Sequence, residues 1–288
     1  MRVETLAEFN RTRLSGESEL EDIELNLLLE GIWRHYGFDF REYAKPSLRR
    51  RVKQYLSRER LPNISALQEK ILRDIHCLED FLVMLNTHVR GIFRNPDFFR
   101  SMRERVVPLL KTYPSLRIWQ VGCSNGEELY SLAILLKEEN LYEKTKIYAT
   151  DIHSRLLQKA REGRFPSQDL SETESRYRQT GGKGSFSDYI SLEANSGVFE
   201  SSLKKNIIFA THNIVTDSSF NEFNMIICRD VMIYFNQELQ ERVLKLLRES
   251  LVVLGFLALG SKESMRTSPQ RNRYEEVDAT HKLYRRVR

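Results

Sequence analysis

The segment IWQVGCSNGEELYSLAIL, residues 118–135, constrains this chain more than any other stretch. An apolar run of strand length ends at Gly122, a short loop closes at Gly126, and the following residues carry apolar side chains at helical spacing. A strand that turns through glycines into a helix leaves backbone N–H groups and a helix N-terminus at the carboxyl edge of a sheet, where open α/β sheets bind their ligands. Phosphate is one candidate for such a place. However, the loop has no Lys-Ser/Thr of a P-loop, and its glycines are spaced G-x-x-x-G rather than G-x-G-x-x-G. Two acids, Glu127 and Glu128, open the helix instead. A carboxylate there favours a ligand with a cationic or hydroxyl-rich portion, although first-turn acids also serve simply to complement the helix dipole.

The rest of the chain fits an α/β reading. After Pro96, apolar runs of strand length alternate with longer amphipathic segments, the pattern of βαβ units and a parallel sheet. The strands expected are RIWQV, KIYAT, NIIFA, FNMIIC and VLGFLALG, with KLYRRV as a last, alternating edge strand. Residues 164–200 break the rhythm with Gly, Ser and aromatic residues and read as an insertion over the sheet, with a hairpin expected around GGKG. Before residue 90 the chain reads as short helices. One ends at a C-cap Gly37, the next opens with Pro46, a third takes Ser65 as N-cap, and LEDFLVMLNTHV closes the set. The organisation expected is therefore a tail over 1–18, a helical domain over 19–89 and an α/β domain over 90–288, without internal repeats.

Composition narrows the function classes. Hydrophobic residues at 41% and charged residues at 30% describe a globular chain, not a disordered one. No apolar run approaches the roughly 20 residues that span a bilayer, so a cytoplasmic protein without membrane insertion is expected. The three cysteines, Cys77, Cys123 and Cys228, are far apart and lack metal-ligand spacing, which predicts reduced thiols and no metal. Lys and Arg exceed Asp and Glu by only 45 to 40, but residues 41–60 hold eight Lys or Arg against two Glu. Such a helix is a solvated face or a surface for an acidic partner. Without aromatic interleaving or a reading motif, it gives no case for nucleic acid.

The second strand, KIYATD, ends in Asp151, about 25 residues past the loop, where a nucleoside-binding doubly wound fold places an acid against ribose hydroxyls. The alternative is an N-cap for the following helix. A ribose-bearing ligand without a phosphate cradle, beside an acid suited to an ammonium, describes S-adenosylmethionine better than NAD or ATP. Two further strand ends complete the crevice: FATHNIVTD with Asn213, and IICRDVMIYF with Arg229, Asp230 and Tyr234.

On FRNPDFF, IWQVGCSNGEELYSLA, IYATDI, CRDVMIYFNQELQERVL and LGSKES, in that order, the chain resembles the chemotaxis receptor glutamate methyltransferases of the CheR type over about residues 20–288. The resemblance implies a doubly wound, Rossmann-like methyltransferase sheet with an N-terminal helical bundle and a small inserted β subdomain. It also implies that S-adenosylmethionine donates a methyl group to a receptor glutamate carboxylate, giving a methyl ester and S-adenosylhomocysteine. Carried over residue by residue, Gly122 belongs to the cofactor loop, while Glu127 and Asp151 hold the amino-acid and ribose portions. Asn213 and Ile214 border the adenine, Arg229 and Asp230 lie beneath the cofactor, and Arg94 and Tyr234 sit closest to the transferred methyl. The basic helix, with Arg49, Arg50, Arg51 and Lys53, would face the acidic cytoplasmic domain of the receptor.

The chain departs from the family pattern at three places. The family reads Asn-x-Thr where this chain has His88 and Arg90, and the Asn of its CRN motif is Asp230. Arg90 would bring a fixed positive charge toward a sulfonium, at a cost of about 4 kcal/mol for charges 4 Å apart at an effective dielectric of 20. An Arg90–Asp230 pair would neutralise it. Two readings follow: an active methyltransferase, or a degenerate relative that keeps the fold for binding or regulation.

Overall fold

The computed structural model describes residues 6–85 and 91–288, with side chains from Glu19 onward. The chain divides into two compact units. Their elements arise for different reasons.

The first unit is helical: α1 (Leu6–Tyr36), α2 (Lys45–Glu59), α3 (Ile64–Arg73) and α4 (Ile75–Leu85). Helix α1 begins at Leu6, well inside the stretch the sequence set apart as a tail. It stops at Gly37, whose φ of +79° suits a residue without Cβ and whose N–H donates to the Trp33 carbonyl at 2.8 Å. The N-cap of α3 is Asn63, not Ser65. The Asn63 Oδ1 accepts from Ala66 N–H at 2.9 Å, while the Ser65 hydroxyl donates to Glu24 of α1. One apolar face of each helix turns inward, with Leu28 and Ile32 of α1, Val52 and Tyr55 of α2, Leu67 of α3 and Phe81 of α4 fully buried. The unit also takes in Tyr234–Asn236. Ala44 N–H donates to the Tyr234 carbonyl at 2.7 Å and Asn236 N–H to the Glu42 carbonyl at 2.8 Å.

The second unit carries the sheet. It opens with α5 (Pro96–Ser101) and α6 (Val107–Leu110), joined by a π-helical turn over Met102–Val106. Then follow β1 (Leu116–Val121), α7 (Glu127–Glu138), β2 (Thr145–Asp151), α8 (Ser154–Glu162), β3 (Arg164–Pro166), α9 (Leu170–Gln179), β4 (Ile190–Glu193) and β5 (Ser196–Phe199). The unit ends with β6 (Ile207–Thr211), β7 (Phe223–Cys228), α10 (Gln237–Glu249), β8 (Leu251–Leu259), β9 (Tyr274–Asp278) and β10 (Leu283–Arg286).

Seven strands form one sheet in the order β6-β2-β1-β7-β8-β10-β9, the first five parallel. Order runs outward from β1 through β2 to β6 on one side and from β7 onward on the other, so the switch point lies between β1 and β7. The central parallel strands β1 and β7 are mostly apolar and mostly buried, as strands covered on both faces are. Helix α7 is covered so fully that every residue from Leu129 to Leu136 is buried.

Two expectations fail here. KLYRRV is not an edge strand: β10 lies between β8 and β9, antiparallel to both. The true edge, β9, is the polar sequence YEEVD, which carries little strand signal because most of it is not buried. The inserted hairpin is not at GGKG either. In the three-stranded sheet β3-β5-β4, Glu193 pairs with Ser196 across Ala194-Asn195, with Ala194 at φ +47°. Gly181 follows the C-terminus of α9 with φ +78°, and a Cβ on Gly182 would lie 2.4 Å from the Tyr177 ring, so these glycines serve a helix end and close packing.

The insertion is bound to the sheet unit by a stack of Phe199 on Tyr130, with ring centroids 4.0 Å apart, and by two adjacent carboxylates at the end of α7. Glu138 accepts from Tyr177, Tyr189 and the Lys183 N–H, and Glu139 pairs with Lys183. Arg103 of the π-helical turn bridges both, at 2.6 Å to each.

Candidate cofactor site

At the switch point, β1 is followed by Gly122 with φ +62°, and a Cβ there would lie 2.8 Å from Val231 Cγ2. The loops after β1 and β7 therefore approach as closely as a bare backbone permits. Gly126, with φ +93°, is the N-cap of α7. A Cβ there would press on Ala160 and Tyr130 at 3.2 Å. Both glycines of the opening motif are thus required by geometry.

Asp151, 5% exposed, ends β2 and faces this loop. Its Oδ2 accepts from Ser124 N–H at 2.9 Å. Its Oδ1 accepts from His153 N–H at 3.0 Å and lies 2.7 Å from His153 Nδ1. The α8 N-cap is His153, so Asp151 fastens the glycine loop to the start of α8 rather than capping that helix itself. The end of β6 joins the group, since His212 N–H donates to the Asp151 carbonyl at 3.2 Å. Asn213 and Ile214 follow directly. The Asn213 side chain accepts from Val215 N–H at 3.0 Å and so shapes its own turn.

The two acids of the α7 first turn have different surroundings. Glu128 pairs with Arg229 and accepts from Gln120 Nε2 at 3.0 Å. The Arg229 guanidinium lies over the Phe98 ring at 3.9 Å and donates to Asn95 Oδ1 at 3.1 Å. Glu127 is half-buried, and its carbonyl accepts from the Ser131 hydroxyl, which in turn accepts from Phe93 N–H. Among the described residues, the buried polar atoms Gln120 Oε1, Asn125 Oδ1 and Arg229 Nε in this region have no protein partner. Orphaned atoms beside a loop without Cβ groups at its two ends suit a polar ligand.

Arg94 sits on the turn GIFRN, where Gly91, Phe93 and Asn95 all have positive φ, at 135°, 51° and 58°. Bulky residues rarely adopt this conformation. Phe93 is held in it by burial against Phe99 and Tyr177, each with its ring centroid 5.4 Å away. The turn delivers Arg94 Nη1 to Asp230 Oδ2 at 2.9 Å. Asp230 thus pairs with Arg94; His88 and Arg90, and with them the Arg90–Asp230 pair considered from sequence, lie outside the described residues. Asp230 has φ +59°, a conformation that Asn and Asp tolerate better than most residues, so the exchange of one for the other spares the backbone.

Tyr234 follows on the same loop as Asp230. It belongs to the helical unit, 9% exposed, with the Arg51 guanidinium 4.2 Å from its ring centroid. The basic helix α2 is also less available than its sequence suggested. Arg51 is buried, Arg49 pairs with Asp22 and Lys53 with Glu21, both on α1, and Arg50 is exposed.

Sequence reasoning missed Gln120, Ser124, Asn95, His153 and Glu263. Gln120 had a signal, as an amide side chain near the carboxyl end of an apolar strand. Burial pushes the Cys123 and Cys228 thiols well up, which keeps them protonated and unreactive. Among the described residues no group of His, Cys, Asp and Glu is arranged to hold a metal, and no helix is long and apolar enough to cross a membrane.

The sheet order, the glycine loop and the acid at the end of β2 are those of the doubly wound, nucleoside-binding α/β class. The particular family follows from comparison. Residues 88–283 match the CheR methyltransferase SAM-binding domain, and residues 23–85 match the CheR methyltransferase all-alpha domain. The chain belongs to the CheR methyltransferase family. It is 44% identical over 265 residues to a Pseudomonas putida protein named "Putative methyltransferase Cher3", covering 92% of this chain and 97% of that one. It is 27% identical over 234 residues to a chemotaxis protein methyltransferase of Listeria monocytogenes, covering 81% and 86%. It is 26% identical over 274 residues to a chemotaxis protein methyltransferase of Borreliella burgdorferi, covering 89% and 93%.

Proposed function

We propose that the chain is an S-adenosylmethionine-dependent O-methyltransferase that forms methyl esters on glutamate side chains in the cytoplasmic domain of a chemotaxis receptor. The observation that carries this reading is the junction of the β1 and β7 loops at Gly122 and Val231, with the Asp151 carboxylate on one flank and the Arg94 guanidinium on the other. The orphaned Gln120, Asn125 and Arg229 atoms fit a cofactor with polar groups.

When bound, S-adenosylmethionine supplies an electrophilic methyl group on a sulfonium. Asp151 would accept hydrogen bonds from the ribose hydroxyls, Glu127 would face the ammonium, and Asn213 with Ile214 would border the adenine. Arg229, fixed by Glu128, Asn95 and Phe98, supports the crevice from below. The acceptor carboxylate has an ordinary pKa near 4.3 and is already ionised at neutral pH, so the site needs no general base. Arg94 provides orientation: its planar fork grips one carboxylate oxygen and leaves a lone pair of the other free to meet the methyl carbon.

A degenerate, binding-only protein is the second reading, favoured by the ion pair that already engages Arg94. Calorimetry with S-adenosylhomocysteine, followed by transfer of labelled methyl groups to receptor cytoplasmic fragments, separates the two. A base-labile label released as methanol supports the methyl ester. Cofactor binding without any base-labile label overturns the enzymatic reading and leaves the second.

A further inference from the structure

We infer that Glu263 is the positioning residue of this site, holding the loop after β7 in the shape that brings Asp230 to Arg94 and Val231 to Gly122. The placement of the cofactor in the crevice rests on the reading above. The clamp itself rests on the geometry alone.

The Glu263 side chain is buried and receives four backbone N–H groups. Oε1 accepts from Val231 at 3.0 Å and Met232 at 2.7 Å, and Oε2 accepts from Asp230 at 3.1 Å and Gly260 at 2.6 Å. Three of the four donors are consecutive residues of one loop. The fourth comes from the strand end that Glu263 itself follows, and Glu263 N–H closes the turn onto the Gly260 carbonyl at 2.9 Å. Four donors converging on one carboxylate fill its usual lone-pair capacity, so the loop has little room to take another shape. Gly260 is what allows the approach. A Cβ there would lie 2.6 Å from Asp230 Oδ1, 2.7 Å from Asp230 N and 2.8 Å from Glu263 Oε2.

The clamped residues reach both sides of the crevice. Asp230, held at φ +59°, extends its carboxylate to Arg94, and Val231 lays its side chain against Gly122. The hydrogen bonds of Glu263 reach these partners through the backbone of 230–232. Burial pushes its carboxyl upward, against the pull of the N–H donors. Keeping such a group buried is explained by the four bonds it makes, since an apolar side chain would leave four donors unpaired.

Glu263→Gln separates positioning from packing, because the amide fills the same space but turns an NH2 toward two N–H donors. Hydrogen exchange of the peptide spanning 229–233 is expected to quicken at least about tenfold in this variant. In the unchanged protein, a double-mutant cycle of Arg94→Ala and Asp230→Asn, read by thermal unfolding, is expected to show coupling. In the Glu263→Gln background that coupling is expected to vanish. Gly260→Ala, which keeps the carboxylate but crowds both it and the loop, should reproduce both results and carries the test if Glu263→Gln does not fold. Unchanged exchange together with undiminished coupling overturns the proposal. Affinity for S-adenosylhomocysteine should fall about tenfold in both variants. If the unchanged protein does not bind that ligand at all, the reading of the previous section fails, and exchange and coupling still decide this one.

Discussion

Arg94 Nη1 donates to Asp230 Oδ2 across 2.9 Å, so the guanidinium that would orient an acceptor carboxylate already holds a carboxylate of its own protein. The pair is partly open to solvent, and such pairs contribute only about 0–1 kcal/mol to stability. An arriving glutamate therefore competes with Asp230 for a weakly held partner, and it also meets a like charge.

The first prediction follows from that competition. Asp230→Asn keeps an oxygen for Arg94 and a residue suited to φ +59°, but removes the negative charge. The KM for a receptor fragment should fall several-fold, with the melting temperature shifting by no more than about 1 kcal/mol of stability would cause. Arg94→Ala should abolish turnover in either background while S-adenosylhomocysteine still binds. A KM that rises in Asp230→Asn would mean that Asp230 assists the acceptor instead of competing with it.

Asp151 offers a test of the other flank. Asp151→Asn can still accept from Ser124 N–H, so the loop should persist while the charge is lost, and affinity for S-adenosylhomocysteine should drop about tenfold or more with little change in melting. Asp151→Ala also removes the carboxylate that accepts from the Ser124 and His153 N–H groups, at about 1–3 kcal/mol. Calorimetry and thermal unfolding on the two variants separate binding from structure. Equal affinity in both and in the unchanged protein would remove Asp151 from the ribose.

How far the sequence could carry these assignments depends on the kind of signal each residue emits. Strands β1, β2 and β7 are legible because a strand covered on both faces carries a run of apolar residues through its centre. Gly122 and Gly126 are legible because their left-handed backbone excludes most side chains. The clamp of Glu263 is not, since four backbone N–H groups leave no mark in the residue types that supply them. Nor is the Arg94–Asp230 pair, which joins residues 136 apart in the chain. YEEVD and GGKG mislead for opposite reasons: an edge strand can be polar, and glycines can serve packing instead of a turn.

The basic helix can be dissected residue by residue. Arg50 is exposed, so Arg50→Glu should leave stability within about 0.5 kcal/mol while weakening capture of an acidic receptor fragment at low salt. Arg51→Glu should do the reverse. Its guanidinium is buried over Tyr234, a contact of about 1–2 kcal/mol when desolvated, and the reversed charge would lie against the face of an electron-rich ring. Melting should drop by several degrees. Surface plasmon resonance at two salt concentrations checks the first variant and calorimetric unfolding the second. Salt-independent capture unaffected by Arg50→Glu would reduce the helix to a solvated face.

The last prediction concerns acid. Burial pushes the Glu139 carboxyl upward, but hydrogen bonds from Lys183, Lys111 and Arg103 outweigh it and hold the group down at about 2, from an ordinary 4.5. A carboxylate whose folded pKa is depressed stabilises the fold fully above its unfolded pKa and loses that contribution as pH falls through the folded one. The window is therefore from about 4.5 down to about 2. Because Glu139 and its neighbour Glu138 share Arg103, and Glu138 also receives Tyr177, Tyr189 and the Lys183 N–H, protonation here loosens the inserted subdomain from the end of α7. Urea midpoints measured between pH 5 and pH 3 should fall in the unchanged protein, with hydrogen exchange over residues 177–189 quickening first. Glu139→Gln should start from a lower midpoint at pH 7 and lose less of it on acidification, since the group that titrates is gone. Parallel midpoint curves for the two proteins would show that Glu139 does not couple the insertion to acid.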